Sequence, residues 1–184
     1  MLKNRMPPLD KSKWTSEQET EAQKIIDGPR GKLLPPFEPL LRSPKLMQHV
    51  QGLGEYLRYS SAIGQRLTEL AILVTARNWN QAVEWSIHAP LAIQEGINPS
   101  DIECINNNTQ PKHLKQDELA IYYFCQDLHK NKCVSDNNWN NAVKLFGEKG
   151  TIDLIAINGY YTLLAMIMNA SQTSNKKSEY NLIF

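Results

Sequence analysis

The stretch RLTELAILVTARNWNQAVEWSIHAPLA (residues 66–92) predicts two successive helices, and its apolar pattern decides the fold. In residues 66–78, Leu67, Leu70 and Val74 form one apolar face, while Ile72 and Leu73 lie on the opposite side. A helix that is apolar on both faces belongs in the middle of a bundle. Residues 81–92 are apolar almost all the way round as well, so the stretch predicts a central pair of helices.

Helical patterns also fill most of the remaining chain. Ser16 stands three residues before Glu19, a spacing that predicts a capped helix start, and Gly28 predicts the end of that helix. Residues 28–44 are rich in proline and glycine, which predicts an extended crossing segment. Further amphipathic patterns cover residues 45–60, 98–106, 115–131 and 135–147, without a hairpin signal between them. The predicted fold class is therefore all-α.

The last pattern, residues 151–170, is long enough to span a bilayer. Asp153, Asn158 and Asn169 interrupt it, however, and no second candidate span accompanies it. We therefore predict a buried bundle helix and no membrane association.

The charge balance argues against binding to a large polyanion. The chain has 20 basic and 19 acidic residues, so bulk charge gives no attraction to nucleic acid or to an anionic membrane. The first residues lack the apolar run of a signal peptide, and we expect a cytoplasmic protein. Cys104, Cys125 and Cys133 are odd in number and have no CxxC spacing, which predicts three reduced thiols rather than disulfides or a zinc ribbon.

Polar residues interrupt the two apolar helices at a regular spacing. Gln81, Glu84 and His88 fall on one stripe, and Glu84 and His88 are i, i+4 neighbours that can touch. Glu69, on the preceding helix, is the natural third member. A buried carboxylate–imidazole pair can exchange a proton near neutral pH, as general acid–base catalysis requires. The stripe therefore predicts a proton-relay site.

Two other interpretations of this stripe stay open. The same residues could form a hydrogen-bonded knot that only holds helices together. An ExxxH pair with one more carboxylate could also bind Zn²⁺ or Fe²⁺, but these are few ligands and no second histidine has helical spacing. We therefore expect no metal.

The sequence resembles the carboxymuconolactone decarboxylase family of the AhpD-like superfamily. The resemblance covers about residues 28–170, and its most specific pieces are RLTELAILVTAR, EWSIH, GINPSDIE and GYYTLLAMIMNA. It implies an AhpD-like helical bundle that assembles as a homotrimer or homohexamer. It also implies three parts, an N-terminal helical arm (1–27), the family-like domain (28–170) and a C-terminal tail (171–184) that we expect to be flexible, unless residues 182–184 dock on another subunit.

The resemblance implies two chemistries. In the alkylhydroperoxidase branch, a glutamate and a histidine flank a CxxC motif; here they match Glu69 and His88, but Gln81 and Glu84 occupy the cysteine positions. Neither can replace a nucleophilic thiolate, which argues against a peroxiredoxin-type, peroxide-reducing oxidoreductase. The decarboxylase branch has an ExxxH that Glu84 and His88 match.

That second branch implies a cofactor-free lyase acting on a small carboxylated lactone or ring. His88 would be the acid/base, Glu84 its orienting partner and Glu69 a relay. A non-catalytic oligomeric scaffold is the third alternative. The expected substrate-binding residues are Gln81, Trp85, Tyr160 and Tyr161, with Arg58 and Arg77 as candidate clamps for a substrate carboxylate.

Overall fold

The computed structural model describes residues 3–174 and 178–183, and within them it is helical without a strand. A 3-10 turn at Lys11–Lys13 precedes the α-helices. These are α1 (Ser16–Asp27), α2 (Phe37–Leu40), α3 (Pro44–Tyr59), α4 (Gln65–Asn78), α5 (Ala82–Gln94), α6 (Pro99–Asn106), α7 (Gln116–Asn131) and α8 (Asp136–Ser171). The prediction of an all-α fold is confirmed.

The start of α1 differs by one residue from the prediction. The cap is Thr15 rather than Ser16: the Gln18 amide donates to the Thr15 hydroxyl at 3.2 Å, and the Thr15 amide donates to the Gln18 side chain at 2.9 Å. Thr15 and Gln18 have the same three-residue spacing as Ser16 and Glu19, and the pattern alone does not choose between the two pairs. The helix ends before Gly28, as predicted.

Helix α4 lies at the centre of the bundle, as its two apolar faces predict. Every residue from 67 to 76 is buried. The helix packs against α5, α6, α7, α8 and α3, so no side of it is left to water along this stretch. Any polar side chain on α4 is therefore held in a dry and closely packed environment.

Helix α8 joins two patterns that the sequence separates. It runs from Asp136 to Ser171 and is interrupted at Gly147, whose φ of 67° and ψ of 174° are not helical. A positive φ favours glycine, which explains the residue at the break. Within the described residues, α8 alone is long and apolar enough to cross a membrane, but 56% of its most apolar window is buried, as in the core helix of a soluble protein.

The described part of the C-terminal tail packs on its own chain. Leu182 is buried, the Asn106 side chain donates to the Asn181 carbonyl at 2.9 Å, and the Ile183 amide donates to Asn106 Oδ1 at 2.9 Å. These contacts place residues 178–183 against α6, and the flexibility of the tail stays a prediction. Residues 175–177 and Phe184, which belong to the predicted tail, lie outside the described residues.

Candidate active site

The three residues of the predicted relay meet between α4 and α5. His88 Nδ1 lies 2.6 Å from Glu69 Oε2, and His88 Nε2 lies 3.2 Å from Glu84 Oε2. All three side chains are nearly inaccessible to water, with 3 to 4% of each exposed. The imidazole is thus held between two carboxylates, one on each ring nitrogen.

This geometry favours the protonated imidazole. Burial by itself lowers the pKa of His88, but the charge of Glu69 and its hydrogen bond, together with the hydrogen bond and charge of Glu84, outweigh burial and raise that pKa from 6.5 to about 9. His88 is therefore an imidazolium at neutral pH, and both ring nitrogens donate. A buried positive charge between two buried carboxylates costs less than any of the three alone.

Arg58 and Tyr161 extend this cluster. Arg58 Nε lies 3.7 Å from Glu69 Oε1, the oxygen that does not contact His88, so Glu69 bridges two cations. The Tyr161 ring meets the His88 ring edge-on, with centroids 5.2 Å apart and an interplanar angle of 89°. Arg58 thus contacts the cluster through Glu69.

A small cavity lies next to the cluster. Its wall includes Glu84 and His88, and the volume open to the centre of a water molecule is about 20 Å³, which is room for one or two waters. Glu84 Oε1 is buried and has no hydrogen-bond partner among the described residues. A buried carboxylate oxygen without a donor is costly, so it marks the place where a ligand or water would donate a hydrogen bond.

Part of this wall comes from the segment between α1 and α2, which the sequence interpretation did not connect with a site. Arg30, Leu34 and Pro36 line the cavity from that segment, and Phe37 does so from the start of α2. The segment has no hydrophobic period, so no pattern shows which of its side chains point inward. The available signal was a pair of basic residues, Arg30 and Lys32, in a proline-rich segment, and the sequence does not indicate which of them faces the site.

Tyr160 and Tyr161 line the cavity, where substrate-binding residues are expected. Burial raises the pKa of the Tyr160 phenol, and the positive charge of neighbouring Arg30 opposes that rise. Burial, followed by the charge of Glu84, also raises the pKa of Tyr161. Both phenols are therefore protonated at neutral pH and can act as hydrogen-bond donors.

Gln81 and Trp85, the other two expected substrate-binding residues, do not line the cavity. Gln81 is the N-cap of α5: its Oε1 accepts from the Val83 amide at 2.8 Å, and its Nε2 donates to Asn169 at 2.6 Å. Trp85 is 1% exposed and belongs to the apolar core. The helical period of the sequence places both residues near Glu84 and His88. It does not show that the helix begins only after Gln81.

The cysteines also lie away from this wall, since none of the three lines the cavity. Cys125 is buried, where desolvation raises the pKa of its thiol to about 12, and a donated hydrogen bond from Asn158 at 3.3 Å only partly offsets this. Cys104 is half-buried and Cys133 is exposed. Arg77, the second candidate clamp, contacts Asn80 instead of the cluster.

A metal centre finds no support in the donor arrangement. Among the residues that the structure describes, no group of three histidine, cysteine, aspartate or glutamate side chains could hold a metal ion. In the Glu69–His88–Glu84 cluster, both imidazole nitrogens already face carboxylates, so no lone pair of the histidine is directed at an open coordination position.

The fold is that of the AhpD-like proteins. The AhpD core structure of an uncharacterized peroxidase-related protein from Ralstonia eutropha JMP134 matches with a TM-score of 0.74 and 13% identity, over 94% of this chain and 92% of that chain. No family model and no curated protein sequence matches the chain.

Two further similar structures are those of the debrominase Bmp8. The ligand-free enzyme has a TM-score of 0.72 and 14% identity, over 95% of this chain and 93% of that chain. A cysteine-to-alanine variant of Bmp8, bound to 2,3,4-tribromopyrrole, has a TM-score of 0.73 and 14% identity over the same shares. Identities this low show a shared fold, and a fold hosts more than one chemistry.

Proposed function

We propose that this protein is a cofactor-free proton-transfer enzyme, a carboxy-lyase acting on a small carboxylated lactone or ring. The observation that carries the proposal is Glu84 Oε1, which is buried, has no partner among the described residues and belongs to a residue of the cavity wall. The other oxygen of the same carboxylate contacts an imidazolium. Glu84 therefore lies between the protonated His88 ring and the cavity that a substrate would enter.

This arrangement changes the roles expected from the sequence. Both ring nitrogens of His88 are engaged, so Glu84, rather than His88, is the group proposed to touch the substrate. His88 is a positioning residue that holds the transferable proton, and Glu69 fixes its ring through Nδ1. Glu84, expected to orient the histidine, is thus proposed as the acid, and His88, expected to be the acid/base, is proposed to position Glu84 and supply its proton.

The proposed reaction balances without a redox partner. The bond between the substrate carbon and its carboxylate breaks, CO₂ leaves, and the electron pair passes into the unsaturated lactone or ring. The proton on His88 Nε2 moves to Glu84, which delivers it to the resulting carbanion. Water then protonates the neutral imidazole and restores the resting state.

The cavity is smaller than such a substrate. Ligand sites for small organic molecules have volumes of about 300–1,000 Å³, whereas this one admits one or two waters. Substrate entry thus requires part of the wall to move. The segment between α1 and α2 is the natural part, since most of it lies outside any helix.

The peroxide-reducing alternative has one observation in its favour, the peroxidase-related protein of the same fold. The cysteine positions speak against it, because no thiol lines the cavity and the pKa of Cys125 is raised to about 12. A hydroperoxide assay separates the peroxide-reducing function from the proton-transfer function. It is made on three variants, each with one cysteine changed to serine: Cys104, Cys125 or Cys133. Turnover that persists in all three removes a thiol mechanism, and turnover lost in one of them supports it.

The test of the proposed chemistry is decarboxylation of a set of small carboxylated lactones, measured by CO₂ release and by deuterium uptake into the product in D₂O. Glu84→Gln is expected to lower kcat by about 10²-fold or more, the usual contribution of a general acid. Glu95→Gln removes an exposed glutamate just after α5 and is expected to leave the rate unchanged. Equal rates in the wild type and Glu84→Gln would refute the proposal.

We also propose a soluble, cytoplasmic location and assembly as a homotrimer or homohexamer. The burial of α8 in the core supports solubility. Exposed apolar residues on α3 and α8 support assembly.

A further inference from the structure

The charges buried at the cavity are not balanced by buried partners alone. Its cations are Arg30, Arg58 and the His88 imidazolium; its carboxylates are Glu84, in the wall itself, and Glu69, which contacts both Arg58 and His88. Three buried positive charges thus face two buried carboxylates, and the third carboxylate, Glu55 beside Arg30, is 41% exposed. Buried charges are ordinarily paired, so a bound anion with a single negative charge would complete the set.

Arg30 is the cation whose charge is least compensated. Only 4% of its side chain is exposed, and its ion pair is with Glu55 at 3.7 Å, a carboxylate that is 41% exposed and therefore largely solvated. It donates to neutral acceptors: to Gln51, at 3.2 Å to the side chain and 3.4 Å to the carbonyl, and to the Tyr160 phenol oxygen. Arg58, by contrast, lies beside the buried Glu69.

Neutral groups hold the guanidinium of Arg30 in place. It lies over the Phe37 ring, 5.1 Å from the centroid, and beside the Tyr160 phenol. Tyr160 can reach this position because the residue opposite it on α3 is Gly54, where a Cβ would overlap the Tyr160 hydroxyl. Arg30 and the protonated Tyr160 are thus two hydrogen-bond donors on one side of the cavity, whereas Glu84 Oε1 is an acceptor in the same wall.

We propose that Arg30 is a specificity-determining residue that binds the carboxylate of a small monoanionic ligand, with Tyr160 as the second donor. The rest of the ligand faces Glu84 and must present a hydrogen-bond donor to its Oε1. Uncharged analogues bind more weakly because they leave the guanidinium with the solvated Glu55 as its counter-ion. The assignment rests on the proposed function for the type of substrate, but the site binds the carboxylate whether or not turnover follows.

The test is an NMR titration at pH 7 of the full chain with acetate, benzoate and 2-furoate, each matched by its primary amide. We expect at least one acid to shift the His88 ring resonances, and its amide to bind at least tenfold more weakly. Arg30→Gln is expected to raise the Kd of that acid about tenfold or more, because a charge-assisted hydrogen bond is worth at least that factor. Arg42→Gln, the control, changes an arginine outside the cavity wall and should keep the Kd within twofold.

Circular dichroism establishes whether each variant is folded. If Arg30→Gln does not fold, Arg30→Lys keeps the charge but loses the planar two-pronged donor, and should still weaken binding by severalfold. The assignment is overturned if none of the three acids binds, or if the acid binds the Arg30 variant as tightly as the wild type. Acid binding through Arg30 without any effect of Glu84→Gln on turnover would retain this site and reject the proposed chemistry.

Discussion

His88 is a histidine whose two ring nitrogens both face carboxylates, at 2.6 Å from Glu69 and 3.2 Å from Glu84. Such a residue differs from the usual catalytic histidine, in which one nitrogen is anchored and the other faces the substrate. Here the ring is anchored at both ends. Glu84 Oε1 is the atom of the cluster without a partner among the described residues, and in the proposed mechanism His88 supplies it with a proton.

The first prediction at this scale concerns the protonation of His88. In an NMR titration its imidazole is expected to stay protonated through neutral pH and to lose its proton near pH 9. Below that pKa the ring is positive and both glutamates are paired with it; above it the ring is neutral and the pairing is lost. Glu69→Gln should lower the pKa more than Glu84→Gln, because the Glu69 charge is the larger of the two contributions.

Glu95→Gln is the matched control for this titration, since Glu95 is exposed and lies just beyond α5. It is expected to leave the His88 titration unchanged. A titration near the ordinary value of about 6.5 that ignores both buried glutamates would contradict the relay and favour the non-catalytic scaffold.

The sequence pattern predicts that Glu69, Glu84 and His88 lie together, but it also includes Gln81, which does not line the cavity. Glu84 and His88 follow from i, i+4 spacing, and Glu69 follows from its place on the adjacent buried helix. Gln81 has the same angular position on a helical wheel, yet its backbone is extended, with φ −95° and ψ 95°, because it caps the helix. A wheel assumes that the helix has already begun, which is why it could not exclude Gln81.

At the scale of elements, the approach of α3 to α8 depends on a single glycine. Gly54→Ala is expected to reduce the free energy of unfolding by about 1–3 kcal/mol, the usual cost of overpacking, because the new methyl group overlaps Tyr160. Urea unfolding measures this change. The Tyr160 ring must also shift, so the variant should bind carboxylates more weakly.

Gly52→Ala is the control on the same helix, since Gly52 is exposed and nothing lies within 4 Å of the added Cβ. It should stabilise α3 by up to about 1 kcal/mol, the difference in helix propensity between glycine and alanine. Two alanine variants with equal stability would contradict the proposed close contact.

The helices themselves could be predicted closely, because periodicity and caps are local properties. Asn98 and Pro99 begin α6 as the sequence indicates, and α4 is buried on both faces. The place of Arg30 could not be predicted, because an irregular segment has no period from which an inward direction follows. Its position depends on contacts with Gln51, which is distant along the chain, and with Phe37, which follows a pair of prolines.

At the scale of the whole molecule, an apolar patch joins α3 and α8. Leu53 and Tyr56 are exposed one turn apart on α3, and the Tyr56 hydroxyl contacts Asp153, next to the exposed Ile152. Ile152 has 58% of its surface open to water. Apolar surface gathered in one place, rather than scattered, is typical of an interface.

The family resemblance implies a homotrimer or homohexamer, which sedimentation equilibrium tests, and this patch is a candidate interface. Ile152→Glu should shift the protein toward monomer, because a charge at the centre of an apolar contact is left unpaired. Met6→Glu changes an exposed apolar residue, 42% exposed, in the segment before α1 and should leave the assembly intact. A monomeric wild-type protein would contradict the expectation.

The residues in and behind the cavity wall come from helices and from an irregular segment. Glu69, Glu84 and His88 sit on helices of the central core, whereas Arg30 belongs to residues 28–36, outside any helix. Evolution can replace an irregular segment without disturbing the helices that it covers. Descendants of this chain could therefore acquire new ligands by altering residues 28–36 alone, while keeping the Glu69–His88–Glu84 cluster on the core helices.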